Sequence, residues 1–196
     1  MTAFAVFDTA LGRCGIAWGA RGIIGVQLPE ASDGATRARI PRQYSDINEA
    51  PPPPAVQHAI DGIVGLLHSG TSDLSTIELD MDHVPSFHRR VYRLARTIAP
   101  GETVSYGEIA ARLGAHGSAR AVGQALARNP FAIIVPCHRV LATGGKVGGF
   151  SANGGTATKL RILSIEGAPF ADAPTLFDTD DLIKTTGYAF MRSARR

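Results

Sequence analysis

A thiol, an imidazole and a guanidinium stand on three successive residues in the stretch Ile134-Val-Pro-Cys-His-Arg-Val140. A thiolate is a strong nucleophile, but a free cysteine ionises near pH 8.5, so a reactive one needs a base or a positive charge close by. Cys137 has His138 and Arg139 next to it in sequence. Neighbours on a strand point to opposite sides, so contact between Cys137 and His138 needs a bend after Pro136 or a bridging water. Taken alone, the pair is also compatible with a buried thiol beside a surface imidazole. Glu166 adds a third group. It ends a predicted helix from Thr156 to Ile165, where a carboxylate opposes the helix dipole and calls for a compensating cation, a histidine or an arginine.

The elements that must position these groups follow from apolar spacing. Phe131 to Val135 reads as a buried strand, bounded by Asn129-Pro130 and Pro136, with Cys137 at its exit. Beyond it, Gly144-Gly145, Gly148-Gly149 and Gly154-Gly155 surround Phe150-Ser-Ala-Asn153. Such a loop can bring backbone N–H groups against a planar ligand. Its spacing is not that of a phosphate loop, which excludes nucleotide triphosphate binding. Before it, Phe87, Val91, Leu94, Ala95 and Ile98 mark one face of a helix whose other face carries arginines. Ser105-Tyr-Gly-Glu108 fits a capping box for a helix reaching Gly114. After Gly114-Ala-His-Gly117, Ser118 is placed to cap a third helix, Ala119 to Ala127, completing a helix-turn-helix. Arg120 falls in the first turn of that helix, where the dipole disfavours a cation, so an external anion or a structural partner is expected. Ala119, Ala121, Gly123 and Ala125 are small, and a mid-helix glycine points to close backbone approach.

The rest of the chain sets limits. With 196 residues, 44% hydrophobic and 19% charged, it is an ordinary globular composition. No apolar run is long enough to span a membrane, and the N-terminus lacks the features of a signal peptide. Two distant cysteines, Cys14 and Cys137, make no disulfide framework, and a reducing cytoplasm is the expectation. No HExxH or four-cysteine spacing occurs, so neither a metal nor another cofactor is expected. Between His83 and Arg128 seven arginines face two acids, a surplus of five in a chain whose net charge is +3. Such a segment suits nucleic-acid phosphates, although a solvated helix face would look alike.

At the N-terminus, Phe4–Phe7, Cys14–Trp18 and Ile23–Val26 read as three strands of a meander. Residues 30–50 and the run Pro51 to Pro54 read as a linker or long loop. Val56, Ile60, Ile63, Val64 and Leu67 mark a helix that stops at Ser69-Gly70, and Ser75 to Met81 reads as a strand. The fold class expected is α+β. A small N-terminal antiparallel-sheet α/β domain, residues 1–82, contains nothing catalytic. A helical C-terminal domain, residues 83–169, carries a winged-helix-like helix-turn-helix and the cysteine. An extension, residues 170–196, ends in Arg192, Arg195 and Arg196 and reads as a disordered or docking tail.

Ser105-Tyr-Gly-Glu-Ile-Ala110, Ala119-Arg-Ala-Val-Gly123, Asn129-Pro130, the block Ile134 to Val140 and Glu166-Gly167 occur in this order. Over residues 84–168 the sequence thereby resembles the O6-alkylguanine-DNA alkyltransferases, or methylated-DNA–protein-cysteine methyltransferases. The resemblance implies direct-reversal DNA repair, in which Cys137 takes the alkyl group from guanine O6 in a flipped-out nucleotide. O4-alkylthymine is a second candidate substrate. His138 would act as base through a water, with Glu166 steadying the imidazolium. Tyr106 would donate to guanine N3, and Asn129 would brace the active-site turn. Arg120 would fill the gap in the base stack, with Ser105, Ala119, Ala121, Gly123 and Arg128 on the same DNA face. The carbonyls of Cys137 and Val140 would accept from the guanine amino group, with Phe150 and Ser151 lining the base pocket. The implied partner is double-stranded DNA, bound through its minor groove by a monomer, and the thioether product limits each molecule to one transfer.

One departure concerns the pocket itself. Ala152-Asn153 is an apparent two-residue insertion before Gly154-Gly155, and Phe150 stands where the family more often has tyrosine. A changed range of alkyl groups or bases is therefore expected. Three rivals remain: an alkyltransferase-like damage-binding protein, a promoter-reading factor and a cysteine hydrolase. The retained Cys137, His138 and Glu166 argue against the first. A helix of alanine and glycine has few side chains to read bases, and an adjacent Cys-His pair is unlike a hydrolase.

Overall fold

The computed structural model describes residues 2–171, so the expectations for residues 172–196 lie outside the described residues. Three strands, β1 (Thr2–Thr9), β2 (Gly12–Gly19) and β3 (Gly22–Gln27), form the antiparallel meander. The segment expected to be loop departs from that reading. It contains a helix, α1 (Asp33–Gln43), and a strand, β4 (Ile47–Glu49), that runs parallel to β1 and gives the order β3-β2-β1-β4. The helix shows no apolar stripe because only Thr36 and Ile40 are buried, and it carries Pro41 in its last turn. Its start is nevertheless well defined, since the Ser32 hydroxyl accepts from Ala35 N–H at 3.2 Å.

The sheet has two apolar faces. Phe4, Ala17 and Ile47 join Ile40 of α1 on one side, while Ala5, Cys14, Ile16 and Trp18 face the main core with α2 (Pro54–Ser69). Cys14 is fully buried and burial pushes its thiol up to about 12, which leaves it inert at neutral pH. Ser75 to Met81 is not a strand. Only Leu79 bridges to Ile23, through two backbone hydrogen bonds from Ile23 to Glu78 and from Asp80 to Ile23.

The main core continues into the C-terminal helices α3 (Ser86–Ala95), α4 (Tyr106–Arg112), α5 (Ala119–Ala127) and α6 (Gly155–Ile165). The capping box forms as expected, Glu108 N–H to Ser105 Oγ at 3.1 Å and Ser105 N–H to Glu108 Oε2 at 2.7 Å. Ser118 precedes α5 without making a side-chain cap, and the connection between α4 and α5 spans residues 113–118 rather than the shorter turn expected. The buried Tyr92 hydroxyl donates to Ala125 O at 2.9 Å and fixes α3 against α5. A parallel pair of short strands, β5 (Val104–Ser105) with β6 (Val140–Leu141), then joins the start of α4 to the chain just past Cys137.

The left-handed Gly70 that ends α2 packs against the end of α6. A Cβ there would lie 2.2 Å from the Ile165 carbonyl and 3.0 Å from Glu166 Cα. Gly70→Ala is expected to lower stability by at least about 2 kcal/mol, from the left-handed backbone and the clash together, as a urea midpoint would show.

Candidate active site and nucleic-acid face

The apolar run before Cys137 is buried but is not a strand. Phe131 bridges to Val26, and the chain then coils into a tight turn, Val135 N–H to Phe131 O at 2.8 Å, with Ile133 at φ 70°. A short apolar run signals burial without fixing backbone conformation, and here burial won over extension. A β-branched residue in the left-handed region is strained and must be held by its surroundings. Asn129 does so: its Nδ2 donates to Val135 O at 2.9 Å, and its Oδ1 accepts from Phe131 N–H at 3.0 Å.

After Pro136 the chain bends into a single 3₁₀ turn, Cys137–Arg139. Side chains in such a turn fan out at about 120° to one another, so the three groups diverge rather than alternate. Cys137 lines a cavity of about 300 Å³ with Tyr106, Gly123, Gly149, Phe150 and Ser151. His138 and Arg139 turn inward and meet Glu166, all three buried. His138 Nε2 lies 2.9 Å from Glu166 Oε1, while Arg139 donates from Nε to Oε2 at 2.9 Å and from Nη2 to Oε1 at 2.8 Å. The compensating cation expected for Glu166 is thus both a histidine and an arginine. The sequence puts Arg139 beside the thiol without giving it a partner, and its bidentate reach to a carboxylate is the geometry arginine favours.

The electrostatics assign the proton. Burial works against the Glu166 charge, but hydrogen bonds from His138 and Arg139 outweigh it and hold the carboxyl down at about 2. An ionised Glu166 only accepts, so the neutral imidazole carries its proton on Nε2 and presents a bare lone pair at Nδ1. Nδ1 is buried and has no protein partner. Burial lowers the affinity of His138 for a second proton, against the pull of Glu166. Burial also raises the Cys137 thiol, opposed by Asn129, by the Lys159 charge and by the backbone N–H groups of Cys137 and His138.

Lys159 was missed. It falls on the inward face of α6, three and four residues before the buried Ile162 and Leu163, and only that spacing signals it. Its Nζ donates to Val140 O at 2.7 Å and lies 5.9 Å from the centre of the Tyr106 ring. The two carbonyls expected to face a base are therefore already engaged, since Cys137 O accepts from Val140 N–H and Val140 O from Lys159. Each keeps a second lone pair. Burial raises the Tyr106 hydroxyl and keeps it a donor at neutral pH.

On the outer face of the helix-turn-helix, Arg120 is exposed in the first turn of α5, with Ala119, Ala121 and Gly123 half-buried beside it. A Cβ at Gly123 would come only to 3.8 Å from Tyr106, an ordinary contact, so packing within the protein does not demand glycine there. Ser105 is committed to its cap. Arg128 follows α5 and lines two clefts together with residues of the N-terminal half. Two of the seven clustered arginines serve the fold: Arg90 donates to Leu113 O, and Arg96 to the carbonyls of Leu74, Ser75 and Ile77.

Residues 86–168 match the family model described as 6-O-methylguanine DNA methyltransferase, DNA binding domain. The methylated-DNA–protein-cysteine methyltransferase of Methanothermobacter thermautotrophicus is 35% identical over 153 residues, 78% of either chain. The chain belongs to the methylated-DNA–protein-cysteine methyltransferase family. The Mycobacterium leprae methyltransferase is 50% identical over 102 residues, 52% of this chain and 60% of the relative. Among solved structures, Mycobacterium tuberculosis O6-methylguanine methyltransferase matches with a TM-score of 0.69 at 34% identity, covering 88% of this chain and 97% of that one. Mycobacterium tuberculosis OGT in complex with DNA matches with a TM-score of 0.66 at 31% identity, covering 85% and 95%. The methyltransferase fold therefore extends through the N-terminal sheet, beyond the segment that the family model matches.

Proposed function

We propose that this chain repairs DNA by moving the alkyl group of O6-alkylguanine to Cys137, once per molecule. The observation that carries the reading is the pairing of a pocket-lining thiol with a buried His138–Glu166–Arg139 network whose one bare nitrogen is a base. The thiol proton passes through a water to His138 Nδ1, and Glu166, held ionised by Arg139, stabilises the imidazolium. Sγ then attacks the O6-bound carbon. The O6–C bond breaks and its electron pair leaves on the purine, which Tyr106 neutralises by donating to N3. Arg120 fills the gap that the flipped nucleotide leaves. The small residues of α5 let the backbone approach the minor groove. Val140, Phe150 and Ser151 border the base, O4-alkylthymine is a secondary substrate, and Asn129 keeps the turn in place. The protein works as a monomer on duplex DNA, in the cytoplasm at the nucleoid, where a free thiol stays reduced.

An alkyltransferase-like binding protein would not need this thiol or its base. Mass spectrometry after mixing with a duplex carrying one O6-methylguanine separates the two. One added methyl on the Cys137 peptide, saturating at one per protein and lost in Cys137→Ser, is the expected result. Tight binding without a mass change would overturn the reading.

A further inference from the structure

A second cavity opens beyond Cys137. It shares Ala127, Cys137, Phe150 and Ser151 with the base pocket, so the cysteine lies where the two meet. It is the larger, about 510 Å³ against about 300 Å³. Its lining also includes Ala132 and Ala152, whose side chains are methyl groups. Its far wall comes from the N-terminal half, from the end of β3 and from α1. Three arginines line it, Arg39, Arg42 and Arg128, against one acidic residue, Glu30. Glu30 is already held, by Gln27 Nε2 at 3.1 Å and Arg39 Nε at 3.7 Å. Arg42 and Arg128 make no salt bridge among the described residues.

In-line attack puts sulfur, carbon and O6 on one line, so whatever else that carbon carries projects sideways. The arginine cleft is the space that touches the same cysteine. Resting on the transferase reading above, we propose that this cleft receives the outer part of the O6 substituent and favours one bearing a negative charge. Carboxymethyl is the smallest such group. In that reaction the S–CH₂ bond forms as the O6–CH₂ bond breaks, the electron pair leaves on guanine, a proton restores neutral guanine, and Cys137 becomes an S-carboxymethyl thioether. A thiolate approaching a carbon that bears a carboxylate is repelled, and nearby guanidinium groups reduce that repulsion.

The test uses three duplexes, with O6-methylguanine, O6-carboxymethylguanine and the neutral, equally sized O6-carbamoylmethylguanine. Single-turnover transfer to Cys137 is followed by peptide mass for the wild type and for Arg39→Ala/Arg42→Ala. The variant is expected to lose about five- to tenfold on the carboxymethyl duplex alone, the size two exposed charges allow, with the other two rates within about twofold. Arg42→Gln should lose part of that, and added salt should shrink the difference. Equal slowing on all three duplexes would assign the arginines to the DNA backbone and overturn the proposal, as would no change on any. Absence of methyl transfer by the wild type would instead sink the transferase reading itself.

Discussion

Glu166→Gln is expected to cost about 3–5 kcal/mol of stability and to slow alkyl transfer by about a hundredfold or more. The side chain holds two roles through two partners. Both its oxygens accept from Arg139, and Oε1 also faces His138 Nε2. Glutamine keeps one acceptor and turns an NH₂ toward groups that only donate, so a buried guanidinium loses its counter-charge. The pH dependence has a definite sign. A carboxyl held at about 2 contributes its full stability above its ordinary value near 4.5, and loses it as the pH falls toward 2. The gap in urea midpoint between wild type and variant should therefore be widest near neutrality and close between pH 4.5 and 2. Adding Arg139→Met removes the orphaned cation, and the double variant should regain much of the lost stability without regaining transfer. If it regained both, Glu166 would be a structural residue and His138 would need no carboxylate.

The chemistry of this site was more legible than its geometry. Pro136-Cys-His-Arg139 and Glu166 were readable because reactive groups at a helix end or beside a proline break ordinary patterns. Spacing along the chain also gave the meander, α2, the capping box at Ser105 and the length of α5. The turn at Ile133 was not readable, because Phe131 to Val135 has the composition of a strand, and the hydrogen bonds of Asn129 are what coil it. Helix α1 was missed for the opposite reason: it buries two residues, so no stripe marks it. That omission hid the arginine cleft, since two of its three arginines, Arg39 and Arg42, sit on an element that read as loop. Lys159 was hidden by its type, because a lysine on a helix is ordinarily solvated.

Lys159→Met is expected to leave stability within about 1 kcal/mol of the wild type while slowing transfer by about a hundredfold. Lys159 is buried, with 1% of its surface exposed, and no carboxylate pairs with it among the described residues. Burial pulls its proton affinity down, and a thiolate at Cys137 pulls it back up. Holding an unpaired cation out of water is unfavourable, so methionine removes a penalty while leaving Val140 O without its donor, and the two effects oppose. The sign follows from the lowered value: the penalty fades as the pH rises through it and is gone above about 10.5, so methionine gains least in strong alkali. In the proposed transfer, the charge that balances Lys159 arises only during the reaction, first on Sγ and then on the departing guanine. A fixed charge already aimed at that place needs no rearrangement when the negative charge appears. Iodoacetamide labelling of Cys137 across pH should shift to higher pH in the methionine variant, and Lys159→Arg should restore part of the shift. A fall in stability large enough to account for the slower transfer, with labelling unchanged, would reduce Lys159 to a support for the Val140 carbonyl.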